Sequence, residues 1–210
     1  MSYNGFMRIK ICGITSPEDA TLAESAGADA IGLIFASESK RAITVSRAQE
    51  IVSSVGPLLV RVGVFSNAPL EQVLKAIKIL RLGVIQLHGS EESTYVAEIQ
   101  KHVPVIRAFS FNQNLTTNDL EGYRADAFLI DGPKPGSGKA FDWSQATQLK
   151  EVSRMILAGG LNPSNVALGI RQLGPYAVDV ATGVEKSIGV KDPHKVLEFV
   201  REARSAFANR

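Results

Sequence analysis

The chain has 210 residues, 45% hydrophobic and 21% charged, a balance that suits a globular protein with a full-sized core. Its 23 basic and 21 acidic residues leave a net charge of +2 with no basic block, so the charge pattern asks for neither nucleic acid nor an anionic membrane as partner. One cysteine excludes an intrachain disulfide, MSYNGFMRIK lacks a signal-peptide core, and no apolar run reaches the roughly 18 residues of a membrane span, so a cytoplasmic location is expected.

The first apolar run, MRIKIC, starts near residue 7 and ends on the lone Cys12. SPEDATLAESAGA follows as a helix, with Ser16 as N-cap, Pro17 at the first helical position and Gly27 closing it. Two further runs, DAIGLIF near 29 and LLVRVGVF near 58, lead to APLEQVLKAIKIL, whose Leu70, Val73, Leu74, Ile77 and Leu80 share one helical face. LGVIQLH, PVIRAFS, DAFLID and RMILAGG start near 82, 104, 126 and 154. NPSNVALGIRQLG is expected to be a helix opening at Asn162 and Pro163 and ending at Gly174, before YAVDVATG near 176 and a last helix over DPHKVLEFVREARSAFA. Most starts lie one strand, one helix and two loops apart.

Eight such units, with no linker, composition shift or low-complexity segment, predict a single α/β domain over 1–210. The expected fold is a closed (β/α)8 TIM barrel near its minimal length. An open doubly wound sheet would leave two edges and should carry a GxGxxG turn after the first strand, which is absent.

Chemistry in such barrels lies where the strands stop. The eight ends read CGIT, FASESKR, FSN, LHGSEE, FSFN, DGPKPGSG, GGLNPSN and ATGVEKS. Gly159–Gly160 before an Asn-capped helix, and Thr182–Gly183 before another short helix, follow strands seven and eight. Backbone N–H groups in these turns can cradle a phosphate, although each turn read alone could simply be tight. A side chain at Gly160 or Gly183 is expected to intrude on the anion, and Gly183→Val is expected to do so with the fold retained. Cys12 and Asp131 end strands one and six and could move protons. If Ile9 and Ile11 face the helices, Lys10 and Cys12 point into the barrel, and Asp131 lies opposite Ile130. Packing for Cys12 and turn formation for Asp131 are the plain alternatives. Arg41 could clamp a carboxylate or be a solvated surface group, and His88 could be structural. His88, His102 and His194 lack ligand spacing, so no metal site is expected.

Taken in order from Lys10 to Asp192, KICGIT, GLIF with SKR, VGVF, QLHG, LIDG with GSGKAFDW, AGGLNPSNV and VDVATGVE with GVKD resemble phosphoribosylanthranilate isomerases. The resemblance implies an Amadori rearrangement in tryptophan biosynthesis, with a phosphosugar-anthranilate substrate and no cofactor, by a monomer or homodimer. It implies Cys12 as general base and Asp131 as general acid. Arg41 would meet the anthranilate carboxylate, and the Gly159–Gly160 and Thr182–Gly183 turns would hold the phosphate; His88 and Asp179 join the substrate-binding set. A free thiol is mostly protonated at neutral pH, so the fold must favour thiolate, and Lys10, two residues before Cys12, is the expected source of that field. Three positions depart from the family pattern: Ala42 where an aromatic residue is common, Ala181 where a serine is, and Ile188 in place of proline.

Other chemistries remain to be weighed at this point. A Schiff-base aldolase would need a lysine at a strand end, whereas Lys10 is internal and Lys134 and Lys139 fall in a loop. A sugar isomerase of histidine biosynthesis would carry a carboxylate where Cys12 stands. A phosphosugar-binding module would bind product without turnover.

Overall fold

The computed structural model describes residues 7–133 and 140–208. Eight parallel strands close into a barrel in chain order, β1 (Arg8–Cys12), β2 (Ala30–Ile34), β3 (Val60–Phe65), β4 (Val84–Leu87), β5 (Val105–Ser110), β6 (Ala127–Asp131), β7 (Met155–Leu157) and β8 (Ala177–Val180), with β8 returning to β1. Closure leaves none of the eight barrel strands at a sheet edge. Around the barrel run α1 (Pro17–Ser25), α2 (Val45–Ser53), α3 (Leu70–Leu80), α4 (Ser93–Gln100), α5 (Thr117–Glu121), a 3₁₀ helix (Trp143–Glu151), α6 (Val166–Leu173) and α7 (Pro193–Ala208). Lys134 and Lys139 lie outside the described residues.

Local signals set most of these elements. Ser16 accepts the Asp19 N–H at 3.1 Å, with Pro17 in the first turn of α1, and the Gly27 N–H donates to the Glu24 carbonyl. Thr44 caps α2 in the same way, through Arg47. Helix α3 buries Val73, Ala76 and Leu80, while Leu70, Leu74 and Ile77 are only half-buried, so its core-facing stripe is rotated towards Ala76. The helix expected from Asn162 starts later: the Asn162 side chain accepts from Ser164 N and Oγ, closing a turn, and α6 begins at Val166. After β8 the expected short helix is one 3₁₀ turn, Thr182–Val184, which runs into an antiparallel hairpin of β9 (Glu185–Ser187) and β10 (Val190–Lys191).

Strand alternation divides the core in two. Ile9, Ile11, Ile31, Leu33, Phe128 and Ile130 pack outward against the helices, each contributing about 1.5–3 kcal/mol on full burial. Val62, Ile106, Ala108, Leu129, Ile156, Ala158 and Ala177 fill the barrel interior. Lys10, Gln86 and Asp179 are also buried, beyond this apolar plug towards the C-terminal strand ends. The plug seals one end, so polar chemistry is confined to the other.

Candidate active site

The inward phase expected from RIKIC holds. Lys10 Nζ donates to Asp179 Oδ1 at 2.8 Å across the β1–β8 seam, where the two residues are in register, and Cys12 follows on the same face. Cys12 is in register with Gly32 of β2, and a Cβ at Gly32 would lie 2.5 Å from Sγ, so the missing side chain makes room for the thiol. Asp131 ends β6, three strands from β1 by way of β8 and β7. Both groups line one cavity of about 680 Å³ at the C-terminal strand ends, shared with Arg41, His88, Asp179 and Thr182.

Electrostatics separate the two proton-transfer candidates. Burial pushes the Asp131 carboxyl up to about 6, the Asp179 charge adding to it, against the Gly132 N–H that donates to Oδ1 at 2.7 Å. The turn-forming bond uses one oxygen only, and the other, Oδ2, faces His88 Nε2 at 3.7 Å. Burial, then the Lys10 charge, pushes His88 down, which keeps the imidazole neutral at pH 7. Burial also pushes the Cys12 thiol up, with Lys10 working against it. Lys10 itself is held charged: burial opposes its charge, but Asp179 and Cys12 outweigh burial. The expectation that Lys10 makes Cys12 a thiolate is therefore met in the placement and direction of the Lys10 field and not in the net result, because burial and the Asp179 charge outweigh it.

A smaller recess of about 50 Å³ adjoins the cavity, lined by Gly159 and Gly160 on one side and Thr182 and Gly183 on the other, with Asp131 and Asp179 common to both spaces. The backbone N–H groups of Gly160 and Gly183 have no hydrogen-bond partner among the described residues, the condition for an anion cradle. One expectation needs correction. A Cβ at Gly183 would lie 1.9 Å from the Leu161 carbonyl oxygen, so Gly183 lets the two turns touch, and a side chain there would disturb the fold before it reached an anion.

Arg41 is not a solvated surface group. Ser39 Oγ accepts its N–H at 3.2 Å, and Gly13, at φ +70°, leaves the path its side chain takes: a Cβ there would lie 2.6 Å from Arg41 Cδ. The buried guanidinium donates from Nε and NH2 to the two oxygens of Glu185, each at 2.7 Å, and from NH2 to Thr182 Oγ1 at 3.1 Å. Lys191, in the second strand of the hairpin with its side chain buried, donates to Glu185 Oε1 at 3.1 Å and to the Cys12 carbonyl at 2.7 Å. Sequence reasoning assigned no role to Glu185 or Lys191, although both fall within the quoted GVE and GVKD; their partners are 144 and 179 residues away. Of the three departures, Ala42 is exposed, Ala181 gives its carbonyl to Lys191, and Ile188 is an exposed part of the cavity wall. Among the described residues no group of three or more His, Cys, Asp or Glu side chains could hold a metal ion, and no helix is long and apolar enough to cross a membrane.

The sequence model of the family described as N-(5'phosphoribosyl)anthranilate (PRA) isomerase matches residues 9–202. The chain belongs to the phosphoribosylanthranilate isomerase family. It is 43% identical over 205 residues to the N-(5'-phosphoribosyl)anthranilate isomerase of Trichlorobacter lovleyi, which covers 95% of this chain and 99% of that one. Among solved isomerases, the Thermus thermophilus structure has TM-score 0.89 at 42% identity, covering 95% of this chain and 99% of its own. Another isomerase structure, holding reduced 1-(o-carboxyphenylamino)-1-deoxyribulose 5-phosphate, has TM-score 0.85 at 36% identity with the same coverage. The Thermotoga maritima isomerase, with TM-score 0.87 and 35% identity over 95% and 99% of the two chains, is dimeric, and this structure is of monomers generated from it.

Proposed function

We propose that the chain catalyses the Amadori rearrangement of N-(5-phosphoribosyl)anthranilate to 1-(2-carboxyphenylamino)-1-deoxyribulose 5-phosphate, with Asp131 as general acid and Cys12 as general base. The observation that carries the assignment of roles is the pairing of a buried carboxyl, pushed up to about 6, with the lone thiol on another wall of the same cavity. A carboxyl that holds its proton longer than usual and a thiol across the same cavity suit a reaction that gives a proton on one side and takes one on the other.

Asp131, protonated, hands its proton to the ribose ring oxygen as the bond from carbon one to that oxygen breaks. The nitrogen lone pair forms the iminium, which acidifies the hydrogen on carbon two, and the Cys12 thiolate removes it. The resulting enolamine gains a proton at carbon one and loses the one on the carbon-two hydroxyl, giving the ketone. The phosphate occupies the small recess, where the N–H groups of Gly160 and Gly183 and the Thr182 hydroxyl meet it. The aromatic ring lies towards Ile34, Val64 and Ile188 with its carboxylate at Arg41, while His88 and Asp179 border the sugar. One chain supplies every group named, so monomer and homodimer are equally competent, and nothing in the chemistry requires a compartment other than the cytoplasm.

The aldolase alternative finds no support, since the Lys10 amine is held charged by Asp179 and a protonated amine is no nucleophile. The test is the loss of phosphoribosylanthranilate fluorescence with wild-type protein, with Cys12→Ser and with Asp131→Asn. Turnover by wild type and its collapse in both variants is the expected result. Retention of the rate in either variant removes that residue from its role.

A further inference from the structure

Glu185 stands outside the proton-transfer pair, yet it is buried and bears two cations. Its Oε2 accepts from Arg41 NH2, and its Oε1 accepts from Arg41 Nε, Lys191 Nζ and, at 3.3 Å, the Gly189 N–H. Burial acts against its charge, but Arg41 and Lys191 outweigh it and hold the carboxyl below its ordinary range. It therefore stays ionised, and it carries this load across the chain: Arg41 follows β2, and Lys191 belongs to the hairpin after β8.

A guanidinium presents its N–H donors in a fixed planar fork. With Nε and NH2 committed to Glu185 and Thr182, the NH1 amino group is the part of Arg41 without a partner among the described residues, and Arg41 lines the cavity. The arrangement thus selects which edge of Arg41 a ligand can meet. An arginine held this way has no rotamer freedom left to lose when an anion arrives, which is the advantage of preorganisation. Two cations against one carboxylate also leave the cluster with a net positive charge for an incoming carboxylate.

We propose that Glu185 is a positioning residue for recognition of the substrate's ring carboxylate: its two-point grip on Arg41 directs the NH1 edge into the cavity, and Lys191, on the same carboxylate, ties that grip to the main chain of Cys12. The proposal rests on the reading of Arg41 as the carboxylate contact. The ligand edge and the base are then set by one buried cluster, so the distance between ring carboxylate and thiol is fixed before substrate binds.

The test compares two ligands, the reduced product analogue and its counterpart lacking the ring carboxyl group, by calorimetric Kd. Wild type prefers the carboxylate form, and Arg41→Met abolishes that preference. Glu185→Gln is expected to cut the preference by roughly tenfold or more, the worth of a misdirected charge-assisted hydrogen bond, with the carboxyl-free compound changing by less than about threefold. Glu185→Asp keeps the charge but is one methylene short of the two-point grip, and it is expected to lose the preference to a similar degree; it also carries the test if Glu185→Gln does not fold. Equal weakening of both ligands would make Glu185 merely structural and overturn the proposal. So would an unchanged or increased preference in Glu185→Gln, or a full wild-type preference in Glu185→Asp, provided that Arg41→Met still abolishes it. A preference that survives Arg41→Met overturns the reading of Arg41 first, and this proposal with it.

Discussion

Replacing Asp131 by asparagine should make the protein more stable at neutral pH while disabling it. The carboxyl is pushed from 3.8 up to about 6 because its side chain is only 13% exposed and close to Asp179. Between those two pH values the folded chain keeps a proton that the unfolded chain has lost, so the contribution of Asp131 to stability declines as pH rises through this window and levels off above it. Below about pH 3.8 neither state is ionised and the cost vanishes. Linkage puts the cost at about 1.6 kcal/mol at pH 5 and about 3 kcal/mol at pH 7.5. An asparagine keeps an acceptor for the Gly132 N–H and has no charge to desolvate, so Asp131→Asn should recover most of that amount. For a chain of this size the gain at pH 7.5 corresponds to roughly 6–12 °C in Tm. The assay is a denaturant titration of both proteins at pH 5 and pH 7.5, with turnover measured in parallel. A stability difference that does not change with pH, or a variant less stable than wild type at pH 7.5, would refute the claim that an uncompensated buried carboxylate is held here for catalysis.

Cys12→Ser should fold normally, the hydroxyl fitting beside Gly32, and lose roughly 10²–10⁴ in turnover, the usual range for a general base; near wild-type activity would return Cys12 to a packing role. With the acid at about 6 and the thiol pushed above its ordinary 9.0, the active form pairs a protonated Asp131 with an ionised Cys12. The profile of kcat/KM should then fall tenfold per unit below about pH 6 and stay level above it until the thiol titrates; a steady decline from pH 6 upward would contradict the assignment. Lys10→Met strands the Asp179 carboxylate and should cost about 3–5 kcal/mol, whereas the double variant Lys10→Met with Asp179→Leu should recover much of it; additive losses in denaturant titrations would show the pair to be uncoupled. Inorganic phosphate should inhibit competitively, by occupying the recess between Gly160 and Gly183, and inhibition of a non-competitive kind would place the phosphate elsewhere.

Strand ends were readable because alternation and spacing are local properties. MRIKIC alone places Lys10 and Cys12 on the inner face, and the same reasoning places Asp131 opposite Ile130. Which partner a charged side chain then finds across a closed sheet is not local. Lys10 meets Asp179 only because β8 returns to β1, and the Asp179 charge offsets part of what Lys10 does for the thiol. Arg41 read as a lone loop arginine because the carboxylate that buries it lies 144 residues further on. The start of α6 was misplaced for a different reason: Asn162 can cap a turn as readily as a helix, and nothing in NPSN distinguishes the two. Gly183 was assigned to the anion because a glycine in sequence does not say which neighbour needs the space.

The seam between β1 and β8 also dictates an order of events during synthesis. Lys10 and Asp179 are separated by 169 residues, and Cys12 and Lys191 by 179. At ribosomal speeds of about 5–20 residues per second, roughly ten to thirty seconds pass between the appearance of the thiol and the arrival of the residues that enclose it. Through that interval β1 has a bare edge and Cys12 has no barrel to shield it. The last strand, its hairpin and α7, whose Arg204 donates to the Met7 carbonyl and to Asp29, act as a latch that only a nearly finished chain can fasten. The barrel is therefore closed in one late step, and a chain released before the latch is made exposes its one thiol along with its unpaired strand edge.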